Sequence, residues 1–255
     1  MKIVRVVLAV LLLCMVGCVD KVADIMGQMK TADTPWVPSD AEVVSALKGA
    51  LKIGAESASK DLSSRGAYYS NNAYKILLPP EANTVIANIS KIPGGDKLVE
   101  DVILRVNTAA EDAAAKAVPI FTKAVTGMTI KDGMNILMGE KDSATRYLER
   151  VTGAQIKDAY RPELKAALQK PMIAGISAEQ SWNTLTGKYN TLANSLAGRV
   201  AKLEPVTTNL DDYVLDKAVT ALFTEVALEE GKIREAPLSY AEDIVRKVFN
   251  YAKAK

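Results

Sequence analysis

Apolar residues recur every three or four positions over most of residues 40–251, and this spacing constrains the fold more than any other feature of the sequence. It places apolar side chains on one face of an amphipathic α-helix. Only the stretch from Tyr74 to Leu78 alternates in the manner of a strand, and it does so weakly. We therefore predict a single all-α domain of about nine or ten helices over residues 39–255, with at most one short extended segment.

Capping residues and prolines set the predicted helix starts. In chain order these starts are Ser39 or Asp40, Pro80, Asp96, Pro119 as a kink or restart, a Thr129–Asp132 capping box, Asp142 or Ser143, a Ser177–Gln180 capping box, Asn209 and Ser239. The helix from Pro80 is predicted to reach Ser90. The helix after Asp142 is predicted to end near Thr152, and a separate helix bent at Pro162 follows it.

The N-terminus has the pattern of an export signal. Lys2 and Arg5 precede an unbroken apolar run of eleven residues, Val6–Val16. A membrane-spanning helix needs roughly 20 residues, so the run suits a secretory signal better. We predict a signal peptide over residues 1–17; the alternative is a retained anchor helix.

The chain has only two cysteines, Cys14 and Cys18, and the residues before them differ. Cys14 follows the bulky Leu13, whereas Cys18 follows Gly17 in "MVGC". This second pattern resembles the lipobox of bacterial lipoproteins, in which the signal is cut just before a lipidated cysteine. We therefore predict lipidation at Cys18; an ordinary cleaved signal that leaves this thiol free is the alternative.

Lipidation would fix where the protein resides. Each buried methylene contributes about 0.8 kcal/mol, so the two or three acyl chains of a lipoprotein cysteine anchor it stably. Residues 18–38, with Pro35 and Pro38, are the predicted tether. In enteric bacteria an Asp after the cysteine often signals inner-membrane retention; here the residue is Val19. The predicted location is the periplasmic face of the cell envelope, with the outer membrane favoured over the inner.

Composition excludes several classes of chemistry. Removing residues 1–17 reduces 32 basic residues to 30 against 30 acidic ones, so we predict no nucleic-acid partner. The chain has no histidine, and Cys18 is its last cysteine. Serine–histidine triads, thiol nucleophiles in the domain and Cys/His zinc sites are therefore excluded. We predict no cofactor. The predicted partners are the membrane, through Cys18, and an unknown periplasmic protein or envelope component.

Acidic residues are concentrated near the start of the helix predicted after Asn209. Asp211 and Asp212 lie in its first turn, where the helix dipole stabilises anions, and Asp216 follows on the same face as Asp212. Oxygen ligands of this kind suit a hard cation such as calcium. The sequence has no "DxDxDG" loop, so capping and ion pairs are the favoured interpretation, and we predict no metal.

Further along the same helix, Glu229, Glu230 and Arg234 are candidate binding residues. Glu230 precedes Arg234 by four positions, a good orientation for a salt bridge. Glu225 and Glu229 form an acidic pair with the same spacing. A carboxylate pair can cleave glycosidic bonds, and this is the enzymatic alternative.

The turn at "GEKDSATRYLE" (139–149) supplies three more candidate binding residues, Asp142, Ser143 and Arg146. The free amides of the following helix can bind an anion, with Lys141 or Arg146 nearby. The favoured alternative is that Asp142 and Ser143 cap those amides themselves.

Five stretches resemble the DUF4197 family of bacterial proteins, a domain of unknown function. They are "ALKGALKIGAE" (46–56), "KILLP" (75–79), "DGMNILMGEKDSATRYL" (132–148), "NLDDYVLDKAVTALFTEVALEEGKIREAP" (209–237) and "IVRKVF" (244–249). The resemblance implies an exported, mostly helical domain that is often a predicted lipoprotein, and it implies no activity. Asp216 departs from the neutral polar residue expected there.

These observations favour a lipid-anchored periplasmic protein with a non-enzymatic binding or scaffold role. Two other functions stay open. One is a carboxylate-dependent hydrolase acting on cell-wall glycan. The other is a carrier of an apolar ligand in a cavity between helices.

Overall fold

The computed structural model describes residues 36–83, 86–87, 95–171 and 175–255, and every regular element within them is helical. The nine α-helices of this described part are α1 (Asp40–Leu62), α2 (Gly95–Ala114), α3 (Ala117–Gly127), α4 (Gly133–Leu137), α5 (Ser143–Gln169), α6 (Ala178–Ala193), α7 (Leu196–Val200), α8 (Leu210–Glu235) and α9 (Asp243–Lys253). The prediction of an all-α domain of about nine helices is confirmed. Residues 39–255 form one compact unit.

Helices α1 and α8 form the centre of the domain. Ser39 caps α1 by accepting a hydrogen bond from the Glu42 amide, and the Glu42 carboxylate accepts one from the Ser39 amide, as in a capping box. A Cβ on Gly54 would lie 3.0 Å from Val226 Cγ1, so the absence of a side chain lets α1 approach α8 closely. Helix α5 packs against α8 and also against α2, α3 and α4.

Helix α5 is a single helix, and the prediction of two helices divided near Thr152 is wrong. Its buried stripe continues without a break through residues 148, 152, 156, 160, 164 and 168. Pro162 lies inside the helix but on its exposed side. The proline removes one backbone hydrogen bond, and the packing of the continuous stripe outweighs that loss.

Other predicted starts shift by a few residues. Asp132 takes a left-handed conformation (φ 56°) and makes no side-chain cap, so the capping box predicted from Thr129 is absent. Asp96 lies in the first turn of α2 rather than before it. Ser239 ends a short 3-10 turn (Pro237–Ser239), and α9 begins four residues later.

The predicted extended segment is irregular rather than a strand. The Asn107 side chain satisfies the backbone of Ile76 as a neighbouring strand would. Asn107 Oδ1 accepts from the Ile76 N–H, and Asn107 Nδ2 donates to the Ile76 carbonyl, both at 2.8 Å. The chain then forms a 3-10 turn, Pro80–Ala82. The rest of the helix predicted to Ser90 lies largely outside the described residues.

The predicted signal peptide (1–17), Cys18 and all but the last three residues of the tether also lie outside the described part of the chain. Within that part, none of the helices combines the length and the apolar character needed to cross a membrane.

Candidate functional site

Glu230 lies where α8 meets the start of α5. Its carboxylate is completely buried and accepts hydrogen bonds from the amides of Ala144 (3.0 Å) and Thr145 (2.7 Å) and from the Thr145 hydroxyl (2.7 Å). The sequence predicted that Asp142 and Ser143 cap this helix, and that prediction is wrong. The Asp142 side chain makes no cap, because a carboxylate from α8 already occupies the N-terminus of α5.

Arg234 completes this contact, which we call the Glu230 joint. Its Nη2 lies 2.7 Å from Glu230 Oε1, so the predicted salt bridge is confirmed. The guanidinium also donates to the carbonyls of Leu137 (2.6 Å) and Ile136 (3.1 Å) at the end of α4. It lies over the Phe249 ring of α9. The joint therefore links four helices, and its polar groups are satisfied by one another.

Glu229, the next residue, makes a different set of contacts. Its carboxylate accepts hydrogen bonds from the Tyr240 hydroxyl (2.7 Å), from Lys232 (2.9 Å) and, at 3.5 Å, from Ser57. Burial opposes ionisation of this group, but the bonds from Tyr240 and Lys232 outweigh burial and hold its pKa below the ordinary value. Glu229 is thus an ionised structural anion.

Arg146 faces solvent rather than the Glu230 joint. Its guanidinium contacts Glu140 (2.8 Å) and Asp142 (3.2 Å), and about half of its side chain is exposed. Exposed pairs of this kind contribute only about 0–1 kcal/mol. Ser143 is half-buried as the first residue of α5. The structure therefore places these predicted binding residues beside a helix terminus that is already capped.

The three aspartates of α8 do not converge on one point. Asp212 pairs with Arg161, and Asp216 pairs with Lys157 at 2.8 Å, so basic side chains of α5 neutralise both. Burial, and then the charge of Glu179, raises the pKa of Asp211. In the described part of the chain, no three acidic, histidine or cysteine side chains are grouped in a way that could hold a metal ion.

Two large cavities lie elsewhere in the domain. The α3–α5 groove, about 800 Å³, is mainly apolar and includes one cation; its lining includes Pro119, Ile120, Lys123, Ala124, Met128, Val151 and Ile156. The α2 cavity, about 900 Å³, lies between α2, the turn after α1 and the end of α5. Most of the residues that line it are polar or charged, among them Arg65, Tyr69, Asp101, Arg105, Thr108, Glu111, Asp112 and Lys170. Both volumes lie in the range typical of small-molecule sites.

A family model described as "Protein of unknown function (DUF4197)" matches residues 37–250. The chain belongs to the DUF4197 family. No curated protein and no solved structure matches it.

Three of the stretches that resemble DUF4197 meet at the Glu230 joint. Residues 132–148 supply the end of α4 and the start of α5, residues 209–237 supply Glu230 and Arg234, and residues 244–249 supply Phe249. The α2 cavity, in contrast, is lined by residues that fall outside all five stretches. The family model, which matches residues 37–250, nevertheless includes both the joint and the α2 cavity.

Sequence reasoning missed Glu111 in the α2 cavity. The residue is 6% exposed, and it shares a face of α2 with the buried Asn107, four positions earlier. Its burial could have been predicted from the surrounding sequence, "TAAEDAAA" (108–115), because small residues let neighbouring helices approach closely. Glutamate is rarely buried without a partner, so an acid in such a run calls for an explanation.

Proposed function

We propose that this DUF4197 chain is a lipid-anchored, exported binding module that carries out no catalysis itself. One observation carries the proposal: the candidate acids of α8, Asp211 apart, are engaged in structural contacts, while two large cavities stay open. Glu230 caps α5, Glu229 is held by Tyr240 and Lys232, and Asp212 and Asp216 pair with α5. The lipobox-like "MVGC" supports the anchor at Cys18, and Val19, in place of the Asp that often signals inner-membrane retention, supports a location on the periplasmic face of the outer membrane.

The geometry supports binding over glycan hydrolysis. A glycosidase needs one protonated and one ionised carboxyl group flanking its substrate. Asp211 has the raised pKa of an acid and Glu229 the lowered pKa of an anion, but neither lines the α3–α5 groove or the α2 cavity. A sugar chain in the α3–α5 groove would meet no carboxylate, and one in the α2 cavity would meet Asp101, Glu111 and Asp112 but neither Asp211 nor Glu229.

The α3–α5 groove favours a second candidate function, the carriage of an apolar ligand. Its walls are mainly aliphatic, and Lys123 is the single charged residue among those that line it. This combination suits an amphiphile with an anionic headgroup, since the chain would contact the walls and the head would pair with Lys123.

The anchor is tested by labelling cells with radioactive palmitate and separating inner from outer membranes. We expect wild-type protein to carry label and to fractionate with the outer membrane. We expect Cys18→Ser to lose both properties. An unlabelled wild-type chain, or a Cys18→Ser chain with unchanged fractionation, would overturn the anchored part of the proposal.

The binding role is tested by native mass spectrometry on protein extracted from membranes, and by incubation with peptidoglycan. We expect a co-purifying mass, and we expect no soluble glycan fragments. Gly127→Phe should remove an amphiphile held in the groove, because a Cβ at Gly127 has open space around it and the ring can fill the groove. Fragment release that disappears in Asp211→Asn would establish the hydrolase instead.

A further inference from the structure

Three glutamates are buried in the described part of the chain, and one of them lacks a cation. Glu229 and Glu230 have Lys232 and Arg234 within 3 Å. Glu111, at 6% exposure, is as buried as Glu229, yet no Lys or Arg nitrogen among the described residues lies within 4 Å of it. Among the described residues, the Tyr68 amide donates a hydrogen bond to Glu111 Oε1 at 3.3 Å.

Burying an ionised carboxylate costs free energy unless a cation or hydrogen-bond donors stabilise it. Buried charges in proteins are paired or bind ions, and one long hydrogen bond to a neutral amide does not replace a cation. Oxygen Oε2 accepts no hydrogen bond from the described residues, and Glu111 lines the α2 cavity. The structure thus combines a carboxylate that has no cation within 4 Å among the described residues with open space beside its second oxygen.

The basic residues around the cavity have other roles. Lys170 pairs with Asp112 at 3.0 Å at the rim. Arg105 donates to the carbonyl of Ile176. Arg65 is exposed on the turn after α1. The cavity therefore has a carboxylate at Glu111 and a rim of mixed charge, with Asp101 and Asp112 beside Arg65 and Lys170.

We infer that the α2 cavity binds a ligand that carries a primary ammonium group, which donates to Glu111. This inference rests on the proposed binding function and names its ligand class. An ammonium supplies the missing charge and three donors in a compact group. A carboxylate on the same ligand would meet Arg65 at the rim, so free amino acids and the amino groups of short peptides share the required chemistry with simple amines.

The test is isothermal titration calorimetry on the full chain, purified in a non-ionic detergent. The probes are cadaverine, L-lysine and, as an uncharged analogue of cadaverine, 1,5-pentanediol. We expect saturable binding of at least one amine and none of the diol. Stronger binding of lysine than of cadaverine, reversed in Arg65→Ala, would assign the amino-acid class; the opposite order would assign a simple amine.

Glu111→Gln is the central variant, because the amide oxygen can still accept from the Tyr68 N–H while the charge is lost. We expect amine affinity to fall by about tenfold or more, since a charge-assisted hydrogen bond becomes a neutral one. Asp96→Asn, an exposed acid of the same helix outside the cavity lining, is the matched control and should leave affinity unchanged.

Thr108→Lys is the second variant and does not depend on Glu111→Gln folding. Thr108 lines the cavity one turn before Glu111, so a lysine there supplies the cation from within the protein. It should abolish amine binding and raise the midpoint of thermal unfolding. Binding of neither amine to the wild type, or equal affinity in Glu111→Gln, would overturn the inference. Palmitate labelling is independent of this result, so loss of the amine site and loss of the anchor are distinguishable.

Discussion

Replacing Glu230 by alanine tests whether the Glu230 joint holds the helices together. The carboxylate accepts five hydrogen bonds, one from Ala144, two from Thr145 and two from Arg234. Without it, the Arg234 guanidinium, only 13% exposed, loses its anion, and the first amides of α5 lose their acceptor. Breaking a buried ion pair from one side costs about 3–5 kcal/mol, so we expect Glu230→Ala to lower the free energy of unfolding by about 4 kcal/mol.

The assay is urea unfolding followed by far-UV circular dichroism, with thermal unfolding as a second measurement. For a domain of this size, a loss of about 4 kcal/mol corresponds to a fall of about 8–16 °C in Tm. Glu140→Ala is the matched control. Its carboxylate also pairs with an arginine, Arg146, but on the surface, so we expect a loss of less than about 1 kcal/mol.

A double-mutant cycle then separates the ion pair from the individual side chains. Since Glu230→Leu and Arg234→Met each leave a buried charge unpaired, the double variant should be more stable than the sum of the two losses implies, by about 1–3 kcal/mol. The reasoning is refuted if Glu230→Ala costs no more than Glu140→Ala, or if the two single effects simply add.

Four further predictions concern stability measured in the same way. Tyr160→Phe should raise the free energy of unfolding by about 1 kcal/mol, because its buried hydroxyl finds no hydrogen-bond partner in the described part of the chain; a clear loss of stability would contradict this. Gly198→Ala should cost about 1–3 kcal/mol, because its Cβ would clash with the backbone oxygen of Leu192 in α6. Gly187→Ala, with open space around its Cβ, should instead stabilise by about 0.5–1 kcal/mol. Because the pKa of Glu229 is lowered in the folded protein, its carboxylate contributes fully to the free energy of unfolding above the unfolded-state pKa of about 4.3. That contribution is lost as pH falls through the folded-state pKa. Glu229→Gln should therefore flatten the decline of stability below about pH 4, and an unchanged slope would contradict the assignment.

The sequence predicted helix starts correctly where neighbouring residues determine them. The caps at Ser39, Ser177 and Asn209 are confirmed, because each side chain accepts from an amide three positions away. The buried stripes of α1 and α8 follow from periodicity for the same reason: both are properties of a single helix.

The sequence did not predict caps, helix continuity or burial correctly where residues distant in the chain determine them. The cap of α5 comes from Glu230, 86 positions beyond Ala144 in the chain, and no local pattern points to it. The sequence predicted a break near Thr152 and a second helix bent at Pro162, but one buried stripe is packed along the whole of α5. Glu111 was missed because a charged residue in a helix is usually exposed, and only the packing of α2 shows that this one is buried.

The Glu230 joint and the α2 cavity are separate parts of the region that the DUF4197 model matches, residues 37–250. The stretches 132–148, 209–237 and 244–249 build the Glu230 joint, so a structural role accounts for the residues of the joint. Glu111 and its cavity lie outside those stretches. Relatives that have the Glu230–Arg234 pair but no acid at the position of Glu111 should therefore fold in the same way without binding amines. Membership of the family therefore predicts the fold of a chain but not its ligand. The ligand has to be established for each chain from the residues that line its own cavity.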